Sequence, residues 1–567
     1  MPDKIIRDPI HGYIKIEEPY IKNIVDHPLF QRLRRIEQTS MRVLYPSAHH
    51  DRFSHSLGTY HLGKKAFHYF VKNIEADLNI HVQNKELIKH SFLVACLLHD
   101  IGHSPFSHTF EKFFERQLDF NTMGENFKPK TILLHQCVQK AYQENIKDSS
   151  SQELFHSDFL SGNVGYGSPH EKMSSLIVLE CFSEILKEHF PPVDLDMIVR
   201  SIIGCTYYHF DMSNRDLCQK YGIRNCLIRL LNSEIIDVDK LDYLNRDMTF
   251  AGYDNVLIDT ERLLSSLSAV WINDDELHCR LMQPAYRKNA LSVVENAIRA
   301  KSSINQWIYN HHAVSCEQAL FVEAFFECVS KEAICPKVGC EHRDNCVKNH
   351  HSCIQIDSER ISVFTNDKDV FINSIFSANA IKGSISCNGY NFTLLSDDDI
   401  HCIFKRHPYL QSVQEILCRN KRRKAIWKSD EELSSISNKV CGHLSIDNLN
   451  TSIHETIQGE SRERSFFDIS RLFPSVQSKI WTLKLSKNNT PIENDKILIL
   501  FGRDDSEKAC VFSRFSDLVL HEIDESKKNA PCEYLLYAAS DNVLSLRENY
   551  RFIKEIANLF SKKPVRT

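Results

Sequence analysis

Apolar side chains recur at helical spacing through most of the first 330 residues. From residue 26, the spacing of Phe30, Leu33 and Ile36 beside several arginines predicts an amphipathic helix with one basic side. Residues 91–100 are largely apolar up to a final His-Asp pair, which predicts a buried helix. The pattern therefore indicates a mainly α protein.

Alternation of apolar and polar residues, the pattern of strands, is scarce before residue 354. The exception is residues 5–16, where β-branched residues flank a Pro-Ile-His-Gly turn signal and predict a hairpin or arm. Alternation returns in four later segments, residues 354–364, 480–485, 496–501 and 534–538. A smaller α+β lobe is therefore expected after the helical body.

Changes in composition along the chain divide the predicted fold into four regions. We expect a helical domain over residues 1–330, a Cys/His-rich insertion over 331–356, a helical continuation of the first domain over 357–430, and a C-terminal α+β lobe over 431–567.

The composition excludes several classes of protein. Of the 567 residues, 42% are hydrophobic and 25% are charged, values typical of a globular protein rather than a disordered or fibrous one. The formal net charge of −5 provides no global positive field for wrapping nucleic acid, so any polyanion site is local. The 19 cysteines are scattered and follow no signal peptide, and no apolar run approaches the roughly 20 residues of a membrane span. These features predict a cytoplasmic protein with free thiols and no membrane segment.

The His99-Asp100 pair ends the apolar helix predicted over residues 91–100. A buried carboxylate without a partner is costly, so a nearby cation is the economical explanation. The pair alone is a weak signal, because a capped surface helix gives the same pattern. Further support comes from His55, at the start of a helical pattern, and from Asp239, in a run with other polar residues at helical spacing.

Two imidazoles and two carboxylates form an N/O ligand set for a divalent metal. Such a set suits Mn, Fe, Ni or Zn, and less readily Mg. It leaves positions open for water and a phosphate oxygen, as metal-assisted hydrolysis requires. The sequence therefore predicts a metal site at His55, His99, Asp100 and Asp239.

Further histidines follow this pair. His103 lies four residues after His99, and so on the same face if the helix continues. The Gly-His-Ser-Pro string predicts a helix stop and then a new helix that carries His108. His170 adds another imidazole. A histidine near its normal pKa can donate a proton to a leaving alkoxide or bind phosphate, although each of these residues taken alone is more often structural.

Five strings resemble the HD-domain deoxynucleoside triphosphate triphosphohydrolases, a family that includes bacterial dGTPases and vertebrate dNTPases. The strings are DPIHG from Asp8, FQRLR from Phe30, RFSHSLG from Arg52, HDIGHSPFSH from His99 and DVDKLDY from Asp237. The resemblance extends over about the first 315 residues and more loosely over residues 395–428. It implies an HD-domain catalytic body and hydrolysis of a dNTP to deoxynucleoside and inorganic triphosphate.

The resemblance also implies roles for individual residues. The same four side chains would ligate the metal. The reaction site would contain Asp100, His103, His108 and His170, with His108 as the candidate acid for the 5′-oxygen. The substrate would contact Arg52, Lys240 and Lys301 through its phosphates, Tyr243 and Tyr309 through its sugar, and Gln38 near the sugar or base.

Two departures from the family pattern affect substrate choice. Lys301 stands where the family usually has an arginine, which keeps the charge but loses the bidentate fork. The string QTSM from Gln38 replaces a leucine- and glycine-rich turn that shapes the nucleoside pocket in relatives. Base preference and the requirement for deoxyribose therefore stay open.

Three residues match positions at which a vertebrate relative binds a guanine nucleotide at an oligomer interface. Asp26, Gln31 and Arg34 are candidates for such a regulatory site, or equally for helix-capping and packing roles. Basic residues that this site uses in later helices are replaced here by Gln414 and Cys418. The resemblance implies a homo-oligomer, either dimer, tetramer or hexamer, and makes a nucleotide activator a candidate partner.

Two further features have competing interpretations. The insertion crowds cysteines and histidines together, which suits a structural zinc at Cys335, Cys340, Cys346 and Cys353. It lacks CxxC spacing, however, and free thiols on a loop explain it as well. The basic run at residues 419–424 could bind polyphosphate or nucleic acid, although a solvated helix face is the commoner explanation.

Three functions compete at this point. The first is a dNTP triphosphohydrolase, with a role in phage defence as an extension. The second is a metal-dependent phosphodiesterase or nuclease for cyclic or single-stranded nucleotides, which the same metal site could serve. The third is a non-catalytic nucleotide-sensing assembly module, against which the intact set of ligands and histidines argues.

Overall fold

The computed structural model describes most of the chain. The described residues are 3–123, 129–160, 166–234, 236–253, 258–274, 279–331, 353–357, 360–365, 367–428, 432, 435, 453–454, 457, 466–484, 497–500, 509–512 and 534–561.

Helices dominate the described residues up to residue 331 and confirm the mainly α class. In chain order they are α1 (Glu18–Tyr20), α2 (Pro28–Gln31), α3 (Arg52–Asp77), α4 (Lys85–Leu98), α5 (Leu134–Asn145), α6 (Ser149–Leu160), α7 (Pro169–Ile177), α8 (Ser183–His189), α9 (Leu195–Ile203), α10 (Arg215–Leu231), α11 (Val238–Ala251), α12 (Thr260–Ser265), α13 (Leu291–Ile304), α14 (His312–Lys331), α15 (Lys368–Ile375), α16 (Asp397–Arg406), α17 (Gln411–Leu417), α18 (Val543–Glu548) and α19 (Tyr550–Ser561).

The strands form several small sheets. They are β1 (Lys4–Asp8), β2 (Gly12–Ile16), β3 (Arg116–Met123), β4 (Pro129–Leu133), β5 (Leu267–Asp274), β6 (Cys279–Arg287), β7 (Cys353–Asp357), β8 (Arg360–Phe364), β9 (Ser384–Cys387), β10 (Tyr390–Phe392), β11 (Arg423–Ala425), β12 (Phe466–Asp468), β13 (Trp481–Lys484), β14 (Leu498–Leu500), β15 (Ala509–Val511) and β16 (Tyr534–Ala539). The sheet orders are β1-β2, β3-β4, β10-β9-β8-β7, β15-β14-β6-β5 and β11-β16-β13-β12.

The N-terminal hairpin and the start of α3 are as the sequence predicts. Strands β1 and β2 pair antiparallel around Gly12, whose φ of 73° suits a residue without a Cβ. Helix α3 begins after Asp51, whose carboxylate accepts the Ser54 amide at 2.8 Å and satisfies a free N–H of the first turn. This cap fixes the position of His55 in that turn.

The basic helix predicted from residue 26 is shorter than expected. The α-helix spans only Pro28–Gln31 and continues as a 3₁₀ helix over Arg32–Arg35. The spacing of three between Phe30, Leu33 and Ile36 matches the three residues per turn of a 3₁₀ helix. Ile36 is already extended, so the chain leaves the helix at that point.

The predicted helix that carries His108 is wrong. Helix α4 ends at Leu98, and turns follow it up to a short 3₁₀ helix at Glu111–Phe114. Phe106 and Ser107 have φ values of 51° and 56°, in the left-handed region that an α-helix excludes. The helix face predicted to carry both His99 and His103 therefore does not form, because α4 ends before either residue.

The hairpins β3-β4 and β5-β6 were not predicted. Residues 267–272 form a short apolar run that periodicity cannot distinguish from a buried helix, and β6 contains Pro284, a residue that demotes a strand prediction. Strand β14 pairs with β6 in parallel, Ile499 lying opposite Tyr286. The C-terminal lobe therefore shares a sheet with the helical body.

The C-terminal lobe confirms the expected smaller α+β unit. Tyr537 is buried in its core together with Trp427, which lies just before the predicted boundary at residue 430, and this core packs against Leu320 of α14. On its other side α14 stacks Phe321 on Phe106 at 4.3 Å between ring centroids. The domain boundaries at residues 330, 356 and 430 remain predictions. None of the described helices is both long and apolar enough to cross a lipid bilayer.

Gly58 of α3 lies where α11 approaches most closely. A Cβ at this position would stand 1.8 Å from Oδ1 of Asp242 and 2.6 Å from Nη2 of Arg246. We expect Gly58→Ala to lower the free energy of unfolding by about 1–3 kcal/mol or more, because these buried side chains would have to move. Urea denaturation measures this, with Lys72→Ala on the exposed side of α3 as the control; equal stability of the two variants would contradict the close packing.

Candidate active site

Four side chains from three elements converge in the body. His55 lies in the first turn of α3, His99 and Asp100 follow α4, and Asp239 lies in the first turn of α11. His55 Nε2 is 3.0 Å from Asp239 Oδ1, 3.4 Å from Asp100 Oδ2 and 3.3 Å from His99 Nε2. His99 Nε2 is 3.5 Å from both carboxylates. The structure thus brings together the four residues predicted as metal ligands.

The chemistry of this donor set fits a divalent ion. His55, His99 and Asp239 can each offer one ligand atom within 4.8 Å of the others, and imidazole with carboxylate suits a transition metal. Burial opposes a charged imidazole, yet Asp239 and Asp242 outweigh it and raise the pKa of His55 to about 10. The surroundings therefore favour positive charge at this point, which a bound cation would supply in place of the proton.

A second layer of groups orients the two imidazoles. His55 Nδ1 donates to Asp242 Oδ2 at 2.7 Å, and His99 Nδ1 donates to the Cys96 carbonyl at 2.9 Å. Both histidines therefore present Nε2 to the site. Arg246 donates to both oxygens of Asp242, at 2.8 and 2.9 Å, and so holds that carboxylate.

The N-terminal hairpin belongs to the same network. Asp8 accepts from Arg246 Nη1 at 2.9 Å, and His11 Nε2 donates to Asp242 Oδ1 at 2.6 Å. The Asp8 carboxylate also accepts two amides of its own turn. The first of the five strings thus has a physical role, which is to support the carboxylate that orients His55.

Arg52 joins the metal-ligand candidates to the segments of Ser107 and Gln38. Its guanidinium donates to Asp100 Oδ2 at 2.7 Å, to Ser107 Oγ at 3.0 Å and to the Gln38 carbonyl at 3.1 Å. Burial would raise the pKa of Asp100, but Arg52 and the neighbouring histidines hold it well below its usual range. Asp100 is therefore ionised at neutral pH.

The other predicted histidines form a second cluster beside the first. The rings of His103 and His170 stack at 3.9 Å, and that of His108 lies 5.0 Å from His103. His103 Nε2 is 3.1 Å from Asp100 Oδ1, but neither ring nitrogen makes an aligned hydrogen bond among the described residues. Burial, Arg52 and His170 lower the pKa of His103 far below its usual value, which keeps this imidazole neutral.

Glu111 links the two remaining histidines of this cluster. Its carboxylate accepts from His108 Nδ1 at 2.6 Å and from His170 Nδ1 at 2.8 Å. Burial opposes charge on His170, but Glu111 raises its pKa to about 9. The sequence interpretation missed Glu111, whose signal was its position three residues after His108.

The predicted phosphate-binding lysines lie beside one another. Lys240 donates to Asp237 at 2.8 Å, and Lys301 donates to the Glu234 carbonyl at 2.5 Å. Burial and the nearby Lys240 lower the pKa of Lys301 to about 8. An anion next to both lysines would relieve their mutual repulsion.

The predicted sugar-binding residues surround a carboxylate that the sequence interpretation missed. The Tyr309 hydroxyl donates to Asp247, and His50 Nε2 donates to the same carboxylate at 2.6 Å. The Tyr243 ring lies 6.2 Å from that of Tyr309. Asp247 stands four residues after Tyr243 on α11, a spacing that could have revealed it. Gln38 is buried, and its Oε1 has no hydrogen-bond partner among the described residues.

The candidate regulatory residues make local contacts. Gln31 donates to the Val25 carbonyl at 2.7 Å and accepts from Arg34 at 2.9 Å. Arg34 also lies over the Phe53 ring at 3.5 Å, and Asp26 is exposed. These contacts fit the packing alternative, and the regulatory role remains a prediction.

The two remaining features are only partly described. Cys335, Cys340 and Cys346 lie outside the described residues, as does the side chain of Cys353, so the zinc hypothesis remains a prediction. The basic run is not a solvated helix face, because it leads into β11. Within it Arg422 pairs with Glu317, while the buried Arg423 pairs with Glu323 and Glu415.

Comparison with known proteins relates part of the chain to a family. The model of the HD domain matches residues 52–155, the stretch that contains His55, His99 and Asp100. The chain contains an HD domain over these residues. The His99-Asp100 pair lies both in this matched stretch and in the cluster of metal-ligand candidates.

Relatives in sequence match about half of the chain. "Uncharacterized protein MG461" of Mycoplasma genitalium is 28% identical over 314 residues, 55% of this chain and 57% of that protein. "Deoxynucleoside triphosphate triphosphohydrolase SAMHD1" of Xenopus laevis is 38% identical over 338 residues, 57% of this chain and 45% of that protein. The chain spans about half the length of the curated relatives it matches.

A solved structure extends the likeness in fold to nearly the whole chain. The crystal structure of a hypothetical protein from Aquifex aeolicus has a TM-score of 0.51 at 18% identity and covers 97% of this chain and 100% of that chain. At this identity the likeness concerns the fold alone.

Asp242 is the residue on which the orientation of His55 depends. We expect Asp242→Asn to weaken Mn²⁺ binding by about 10- to 100-fold, because the imidazole loses the carboxylate that fixes its ring. Isothermal titration calorimetry measures this. Asp216→Asn, in the exposed first turn of α10, is the matched control, and an unchanged affinity of the Asp242 variant would contradict the orienting role.

The Glu111–His170 pair gives a pH-dependent stability. The folded pKa of His170 is raised from 6.5 to about 9, so its contribution is fully present below about 6.5 and is lost as pH rises through about 9. We expect Glu111→Gln to lower the free energy of unfolding by about 1–3 kcal/mol at pH 6 and by less at pH 9.5.

Urea denaturation at the two pH values, with a chelator present, measures this difference. Glu144→Gln, an exposed carboxylate on α5, is the control. Equal losses for Glu111→Gln at pH 6 and pH 9.5 would show that His170 is not charged in the folded protein.

Proposed function

We propose that this protein is a metal-dependent phosphohydrolase that converts deoxynucleoside triphosphates to deoxynucleoside and inorganic triphosphate. The observation that carries the proposal is the convergence of His55, His99, Asp100 and Asp239 beside a separate histidine cluster. The HD-domain match supports the phosphohydrolase chemistry. The activity named for the Xenopus laevis relative supports the choice of dNTPs.

A divalent ion held by the four ligand candidates would lower the pKa of a water and neutralise charge on the phosphate. The chain's own groups account for the other requirements of the reaction. Lys240, Lys301 and Arg52 supply positive charge for the triphosphate, which they hold in place for attack at the α-phosphorus. Tyr309 and Asp247 face the sugar end of the proposed substrate.

The proton balance of the reaction falls on the histidine cluster. The oxygen of water bonds to the α-phosphorus, and the bond from that phosphorus to the 5′-oxygen breaks. His108, held at Nδ1 by Glu111, is the proposed donor of the proton that the 5′-oxygen gains. His103, which is kept neutral, is the proposed acceptor of the proton that the water loses.

Several finer features belong to the same proposal. We propose that the protein forms a homo-oligomer, that a nucleotide activator binds at Asp26, Gln31 and Arg34, and that the protein acts in phage defence. Size-exclusion chromatography with light scattering, with and without a second nucleotide, tests assembly and activation. Unchanged dNTP pools in infected cells that express the protein would remove the defence role.

The activity assay uses the full chain with Mn²⁺ and each dNTP. We expect inorganic triphosphate and deoxynucleoside as products, and a fall of more than about 100-fold in His99→Ala or Asp100→Ala, because charge stabilisation at phosphorus is lost. A chelator should abolish turnover and added Mn²⁺ restore it. The exposed Asp216→Asn is the control.

The products and substrates discriminate the alternatives. Deoxynucleoside monophosphate with pyrophosphate would mean that a different bond is attacked. Hydrolysis of cyclic or single-stranded nucleotides with every dNTP intact would establish the phosphodiesterase or nuclease alternative. The absence of any phosphate hydrolysis would favour the nucleotide-sensing module.

A further inference from the structure

Asp397 is a buried carboxylate far along the chain from the catalytic motifs. It is the first residue of α16 and is 6% exposed. Its Oδ1 accepts the amide of Phe106 at 2.6 Å, across a sequence separation of 291 residues, and its Oδ2 accepts the amide of Glu37 at 2.9 Å. One carboxylate thus holds two segments that both lead into the proposed active site.

The helix that carries Asp397 does not need this carboxylate as a cap. A capping box at the start of α16 is formed by Ser396 and Asp399, with the Ser396 amide donating to Asp399 at 2.7 Å. Both oxygens of Asp397 therefore point away from its own helix, towards the loop of Phe106 and the segment of Glu37.

The loop that Asp397 holds is strained. Phe106 and Ser107, both with side chains, have φ values of 51° and 56°. Such conformations cost about 1–3 kcal/mol each and persist only where the surroundings enforce them. The Phe106 amide on Asp397, together with the hydroxyls of Ser104 and Ser107 on nearby carbonyls, provides that enforcement.

Arg32 holds the same turn from its preceding side. Its guanidinium is buried and donates to the carbonyls of Ile101 at 2.7 Å, His103 at 3.0 Å and Leu395. Leu395 is two residues before Asp397. Arg32 therefore binds the carbonyls of the turn, and the start of α16 binds its Phe106 amide.

The two segments that Asp397 joins each supply a predicted site residue. His108 follows the strained pair directly, and Gln38 follows Glu37. We propose that Asp397 is a positioning residue that fixes the place of His108 relative to Gln38 by holding the backbone segments that carry them. It does not touch the reacting groups and acts through the loop, and the proposal rests on the function proposed above.

The test compares Asp397→Asn with Asp399→Asn in the full chain. The amide replacing Asp397 keeps one acceptor and loses the other, so one of the two backbone amides loses its partner. Asp399→Asn replaces a carboxylate on the same helix in the same way, but it weakens only the capping box with Ser396. Exposed Asp398→Asn is a second control for charge.

Two measurements separate positioning from general stability. Hydrogen–deuterium exchange should become faster in the peptide over residues 104–110 of Asp397→Asn, with α4 and α11 unchanged. With Mn²⁺ and a dNTP, kcat should fall about 10- to 100-fold while KM stays within about threefold, because misplacement of a reacting group costs rate rather than affinity. Both controls should retain wild-type exchange at 104–110 and wild-type kcat.

Each outcome decides the proposal. Unchanged exchange at 104–110, an unchanged kcat, or an equal effect in Asp399→Asn would overturn it. A different result is faster exchange at 104–110 in Asp397→Asn while the wild-type protein hydrolyses no dNTP. That result would overturn the proposed function and leave the positioning of the loop supported. If Asp397→Asn does not fold, exchange in the wild type decides, since an unprotected Phe106 amide would also overturn the proposal.

Discussion

The carboxylate of Asp242 is fully buried, and a buried charge of this kind is tolerated only when its partners are complete. Here Arg246, His11 and His55 share it, and Asp8 balances the guanidinium from the other side. This arrangement fastens the N-terminal hairpin, α3 and α11 to one another. The direction of the His55 imidazole follows from it, and so does the geometry into which a metal ion would enter.

The charges around the reaction site are already balanced in part by the chain itself. Arg52 pairs with Asp100, and Glu111 accepts hydrogen bonds from both His108 and His170. Lys240 pairs with Asp237 in the same way, whereas Lys301 donates to the backbone carbonyl of Glu234. The chain itself therefore holds these cationic side chains in place before any ligand binds.

The sequence allowed the fold class and the convergence of the metal-ligand candidates to be predicted, because short strings around His55, His99 and Asp239 carry both. It did not reveal Glu111, Asp247 or His50, because these are common residue types whose local spacing is a weak signal, and their contacts with His170 and with one another depend on neighbours distant in sequence. The helix expected around His108 failed for the same reason. Its local signals favour a helix start, but Asp397 holds Phe106 in a conformation that no local pattern encodes. The β5-β6 hairpin was missed because a short apolar run fits a buried helix equally well.

The parallel pairing of β14 with β6 has a consequence for how the protein is made. On the ribosome the β5-β6 hairpin emerges long before residues 498–500, and until then one edge of β6 offers unpaired amides and carbonyls. Non-local parallel pairing is slow because a long loop must close first. Nascent chains therefore pass through a stage at which this edge can capture another strand, and premature termination within the C-terminal lobe would leave polypeptides prone to aggregate.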